Sequence, residues 1–149
     1  MNRRGVTLIE MLVVIMIVGI LAGVAVPVAR QSSLWPLRAA ANELAVRIRA
    51  TRHMAIVEGS TCHIIFHEFN NRYKLEYPGG SSWVSLPEGI NYAANNFPLS
   101  LDGRPTLYFR YTGAPNRGGH VALKDRKGNK LYVIVTPVTG RVRIDTAPP

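Results

Sequence analysis

Glu10 is the one charged side chain between Val6 and Ala29. A carboxylate near the start of an otherwise apolar helix is costly in lipid, and such groups usually have a partner and a function. Gly5 lies just before the apolar run. A cut after Gly5 would leave a new α-amine on Val6, one helical turn from Glu10. The amine of a neighbouring chain would then neutralise the carboxylate as the two helices pack side by side. The alternative is a carboxylate that reaches the membrane interface and does nothing more.

A second group with chemical potential is Gly140-Arg141-Val142-Arg143. On a strand, alternate residues share a face and lie roughly 6.5 Å apart, so Arg141 and Arg143 can reach phosphates of one backbone together. Lys124, Arg126, Lys127 and Lys130 cluster at the preceding turn and are expected to extend the patch. Contacts of this kind are independent of base sequence and weaken as salt rises. The plain alternative is a hairpin end, with Gly140 supplying a positive φ and both arginines solvated. The formal net charge of +9 is concentrated here: residues 101–149 hold nine Lys/Arg against three Asp/Glu, a bias that suits nucleic acid or anionic lipid.

His53, Cys62, His63 and His67 are close in sequence, which raises the question of a metal. On a strand, His63 and His67 share a face but sit about 13 Å apart, too far for one ion, and Cys62 points the other way. We expect no metal and no cofactor. The single cysteine leaves no internal disulfide, zinc ribbon or CxxC redox site. No phosphate loop, nucleophile elbow or carboxylate pair stands in a persuasive context, so an enzyme is not expected.

These groups must be positioned by three kinds of element. The run Met11–Ala29 carries no charge and, at about 1.5 Å per residue, is long enough to cross a hydrocarbon core of about 30 Å. Pro27, Arg30 and Gln31 follow without a small-residue cleavage site, so an anchor that stays in the protein is expected over 6–29 rather than a removed signal peptide. Arg3 and Arg4 place the N-terminus in the cytoplasm and the bulk of the chain outside. Pro27 removes a backbone donor, and Gly19 with Gly23 allows close helix approach.

Over 30–59 a second, amphipathic helix is expected. Ser33 is a candidate cap and Pro36 suits a first turn. Leu37, Ala41, Leu44, Ile48 and Ala55, with Thr51 between the last two, recur at helical steps, and Gly59 closes the helix. From 60 to 149 the period becomes that of strands, expected over 61–69, 72–77, 83–86, 90–93, 106–111, 119–124, 130–136 and 141–144. Asn70-Asn71 reads as a tight hairpin turn, 78–82 as a loop and 95–105 as a long irregular connection. One helix followed by many antiparallel strands is an α+β layout.

Arg3-Arg4-Gly5 followed by Val6-Thr7-Leu8-Ile9-Glu10 and an apolar helix resembles the leader of type IV prepilins and type II pseudopilins. The resemblance implies a pilin-like fold, with a long N-terminal membrane and stalk helix packed on an antiparallel β-sheet domain. It implies that residues 1–5 are a leader, that a prepilin peptidase cuts between Gly5 and Val6, and that Val6 is then methylated. Glu10 would guide docking, and the helix would bend or melt near Pro27 on assembly. Val6 departs from the phenylalanine usual at that position.

Leu86-Pro87-Glu88-Gly89-Ile90, the strand and loop from Phe109 to Gly113, and the closing Thr139-Gly140-Arg141-Val142-Arg143-Ile144 are similar to the GspH/FimT group of minor pilins. In that group a Gly-Arg-x-Arg motif is implicated in binding DNA during uptake. The partners this implies are other pilins or pseudopilins along the N-terminal helix, the peptidase, an inner-membrane assembly platform, membrane lipid before assembly, and double-stranded DNA. The location implied is a single-pass membrane protein that enters a surface pilus or a periplasmic pseudopilus. An H-type type II secretion pseudopilin with protein partners alone fits the same residues, and a membrane-anchored enzyme is the distant alternative.

Overall fold

The computed structural model describes residues 8–31 and 34–149, the side chains of 22–31 excepted. Gly5, Val6 and the candidate cap Ser33 therefore lie outside the described residues. The chain divides into two units, Met1–Trp35 and Pro36–Pro149.

In the first unit, helix α1 spans Leu8–Gln31. From Leu8 to Leu21 its side chains are exposed in the isolated chain, Ile9 to 71% and Ile15 to 69%. Apolar surface of that extent is ordinarily covered by lipid or by other chains. Among the described residues no helix is long and apolar enough to cross a membrane.

The second unit begins with helix α2, Trp35–Val57, with Pro36 in its first turn. Its buried stripe is Leu37, Ala40, Ala41, Leu44, Ala45, Ile48, Thr51 and Ala55. The stripe contains the face expected from the periodicity, and its alanines let the helix axis lie close to the sheets. Thr51 Oγ1 donates back to Arg47 O at 2.9 Å, which satisfies the one hydroxyl in that apolar face. Gly59 ends the helix at φ +60 while Ser60 N donates to Ala55 O, the left-handed closure that favours glycine.

Eight strands follow: β1 (Cys62–His67), β2 (Arg72–Tyr77), β3 (Gly80–Ser85), β4 (Asn91–Asn95), β5 (Thr106–Phe109), β6 (Gly119–Lys124), β7 (Lys130–Val135) and β8 (Val142–Asp145). They form two antiparallel sheets, ordered β3-β2-β1-β5 and β4-β6-β7-β8. Alternation is clearest in β1, where Cys62, Ile64 and Phe66 are buried and His63, Ile65 and His67 face outward. Residues of both sheets and α2 meet in one apolar cluster that includes Leu44, Ile48, Phe66, Tyr73, Phe109, Leu123 and Val133.

The structure departs from the sequence expectation in three turns. Asn70-Asn71 is not a two-residue turn: Glu68–Asn70 forms a short 3-10 turn and Asn71 takes the left-handed conformation, giving a register of His67 opposite Arg72. Asparagine tolerates that conformation, so the pair reads as a turn while leaving its length open. The expected loop 78–82 is a two-residue turn at Pro78-Gly79, and β3 already begins at Gly80. Serines 81 and 82 have little strand propensity of their own, and pairing with β2 holds them extended. The final strand begins at Val142, leaving Arg141 in the turn.

Candidate functional site

The final hairpin is built by its turn. Thr136 N donates to Arg141 O at 2.9 Å and Gly140 N to Thr136 O at 3.0 Å, which joins β7 to β8. At the tip, Thr139 N donates to Pro137 O across Val138, whose φ is +66. A β-branched residue in that region is a strained outlier. Gly140 has φ +62, and a Cβ there would lie 3.1 Å from Gly113 O and 3.2 Å from Phe109 Cε1. Beyond it Arg141, in the turn, and Arg143, on β8, are exposed on either side of the buried Val142. Arg143 is loosely paired with Asp145 at 3.7 Å.

Two further arginines, Arg49 and Arg52 of α2, converge here. Arg49 Nη2 donates to Val142 O at 3.0 Å, and Val142 sits between Arg141 and Arg143. Arg52 Nε donates to Gly113 O at 2.9 Å and would lie 3.2 Å from a Cβ on Gly140. Each arginine uses one donor to hold a backbone carbonyl, Arg49 at the start of β8 and Arg52 in the loop at Gly113. A guanidinium has five N–H donors, so most remain for an anion. The available signal was the spacing of Arg49 and Arg52, which places both on one edge of α2. What it lacked was knowledge that β8 is the outer strand of its sheet, beside that edge.

The other basic set does not join them. Lys124 and Lys130 face each other across β6 and β7 at the far end of the sheet. Lys130 is five strand residues from Val135, where the Arg141 turn begins, a separation of about 17 Å. Arg126 is paired with Glu88 at 2.5 Å. Asp125 accepts from Lys127 N, Asn129 N and Asn129 Nδ2, and these bonds, that from the Asn129 side chain foremost, hold its carboxyl below the usual range. Lys124, Arg126, Lys127 and Lys130 thus lie at the other end of the sheet from Arg141, at a turn partly compensated by Glu88 and Asp125.

Of the remaining groups, Glu10 lies in the first turn of α1, and Pro27 falls within α1 with its side chain outside the described residues. Cys62 is fully buried, and burial followed by the nearby Glu58 charge pushes its thiol up. His63 and His67 face outward beside Tyr108 and Trp83 respectively. Among the described residues no group of histidine, cysteine or carboxylate side chains is placed to hold a metal.

The family described as the prokaryotic N-terminal methylation motif matches residues 1–26. The pilin-like protein PilA1 of Thermus thermophilus is 30% identical over 167 residues, covering 97% of this chain and 100% of that protein. The chain belongs to the type IV pilin-like proteins. The minor pseudopilin EpsH from the type 2 secretion system of Vibrio cholerae shares the fold, with a TM-score of 0.56 at 13% identity over 72% of this chain and 94% of that one. The pilin-like fold here is a helix, α2, packed on antiparallel sheets. Pilins and pseudopilins are assembly subunits rather than enzymes.

Proposed function

We propose that this pilin-like subunit enters its filament through the N-terminal helix and presents its β domain, near the filament tip, to double-stranded DNA. Processing between Gly5 and Val6 and methylation of Val6 prepare the helix. Segment 6–29 is held in lipid before assembly, and the carboxylate of Glu10 meets the amine of a neighbouring subunit. The leader peptidase and a platform in the inner membrane act on the chain in that order. The filament is a type IV pilus or a type II secretion pseudopilus.

The observation that carries the DNA reading is the convergence of Arg49, Arg52, Arg141 and Arg143 on one hairpin end. Two are hydrogen-bonded in place, on Val142 O and Gly113 O. Arginines held this way lose less freedom when they fork onto phosphates. The reading predicts salt-sensitive binding of duplex DNA to the domain beginning at Pro36. Arg141→Ala with Arg143→Ala should abolish the mobility shift at moderate salt and make the slope of log K against log salt shallower by about 2. Absence of binding at low salt by a folded domain would overturn this reading. It would leave a subunit whose basic face meets protein partners, as in an H-type pseudopilin.

A further inference from the structure

The outward face of the first sheet carries a second constellation, remote in sequence from the hairpin arginines. Register places His67 beside Arg72, Ile65 beside Lys74 and Lys74 beside Trp83, so these side chains stand together on the face away from the core. The Arg72 guanidinium lies over the Trp83 ring at 4.2 Å from its centroid, and Lys74 Nζ is 5.8 Å away. The His67 ring meets Trp83 edge-on at 4.6 Å. One strand further, His63 and Tyr108 form a tilted pair at 5.3 Å. Trp83 nevertheless remains 46% exposed.

The charge on this face is positive around the rings. Lys74 is bonded to Glu76 at 2.5 Å, whereas among the described residues Arg72 has no ion pair, and its buried Nε has no hydrogen-bond partner. Arg104, Arg72 and Lys74 all act on His67 and, after burial, help to lower its basicity. Beside His67 the sheet opens into a depression of about 400 Å³ lined by Phe69, Leu99 and Arg104 together with Glu68 and Asp102.

We propose that this face binds single-stranded nucleic acid, with bases stacking on Trp83 and Tyr108 and the backbone tracking Arg72, Lys74 and Arg104. Exposed rings interleaved with cations suit a ligand that offers both π faces and phosphates. A duplex keeps its bases stacked inside and gains nothing from the rings. An acidic peptide would use the cations alone. This site uses none of the hairpin arginines, so it stands or falls separately from the duplex reading.

The test uses the full chain in a neutral detergent with Trp35→Phe, which leaves Trp83 as the sole tryptophan. Titration with a dodecamer of deoxythymidine should quench Trp83 fluorescence, with an affinity that falls as salt rises. By anisotropy of a labelled dodecamer, Trp83→Ala should weaken binding about tenfold or more. Arg72→Gln, which keeps the ring, should weaken both signals, and Arg141→Ala with Arg143→Ala should leave the quenching of Trp83 in place. The far-ultraviolet circular dichroism of each variant reports retention of the sheets. No quenching at low salt would overturn the proposal, as would equal affinity for polyglutamate. So would unaltered affinity in folded Trp83→Ala, or binding that disappears only with the hairpin arginines.

Discussion

Gly140 carries two constraints at once: a left-handed backbone at φ +62 and close neighbours, Gly113 O and Phe109, that would have to give by a few tenths of an ångström for a methyl group. A side chain there strains the turn and presses it away from the loop that Arg52 holds. Gly140→Ala should therefore destabilise the domain by about 1–3 kcal/mol, measured as a lower urea midpoint, and an unchanged midpoint would contradict the geometry. His67 belongs to the same scale. Burial, followed by Arg104, Arg72 and Lys74, lowers its pKa from 6.5, so the unfolded chain takes up the proton first. Stability from this group is present above about pH 6.5 and is lost as pH falls through the lower folded value. The loss of melting temperature between pH 7.5 and 5.5 should be smaller in His67→Gln than in the parent, and an equal loss would contradict this role.

At the scale of elements, Asn116 closes much of the free edge of β5, with Thr106 N donating to Pro98 O beside it. Asn116 Oδ1 accepts from Tyr108 N at 3.2 Å, its Nδ2 donates to Thr106 O at 3.1 Å, and its own N donates to Tyr108 O at 2.9 Å. The residue thus behaves as a short extra strand on an edge that would otherwise invite pairing. Asn116→Ala leaves Tyr108 N and Thr106 O without these partners and should cost about 1–3 kcal/mol in urea unfolding. A neutral substitution would show that water replaces the amide. Elements of this kind differ in how far a sequence displays them. The α2 stripe from Leu37 to Ala55 and the hairpin of Gly119–Lys124 with Lys130–Val135 are legible because a local period and a turn specify each one. The division into two sheets is not, because Cys62 pairs with Phe109 and β4 pairs with β6, and no local pattern encodes such distant partners. The same gap hid the candidate site. Arg141 and Arg143 announce themselves two residues apart in sequence, whereas Arg49 and Arg52 join them only once β8 lies beside α2. It also made the Lys124–Lys130 turn look adjacent when a full strand length separates it from Arg141.

At the scale of the molecule, the two units divide the work. The apolar cluster identified in the structure lies between Leu37 and Val142, so the unit Pro36–Pro149 contains its own core. Helix α1 instead presents Leu8 to Leu21 outward, with Glu10 in its first turn, as a helix awaiting lipid or other subunits would. Membership of the pilin-like proteins fits such a division, since proteins of this family assemble with other pilins. The proposed function rests on maturation of the N-terminus, since an amine on Val6 that could meet Glu10 would exist only once residues 1–5 were removed. The most direct test is an intact mass measurement of the chain purified from cells that carry a prepilin peptidase. The account predicts a chain beginning at Val6 and bearing one added methyl group. A chain that keeps Met1 to Gly5 in those cells would contradict it.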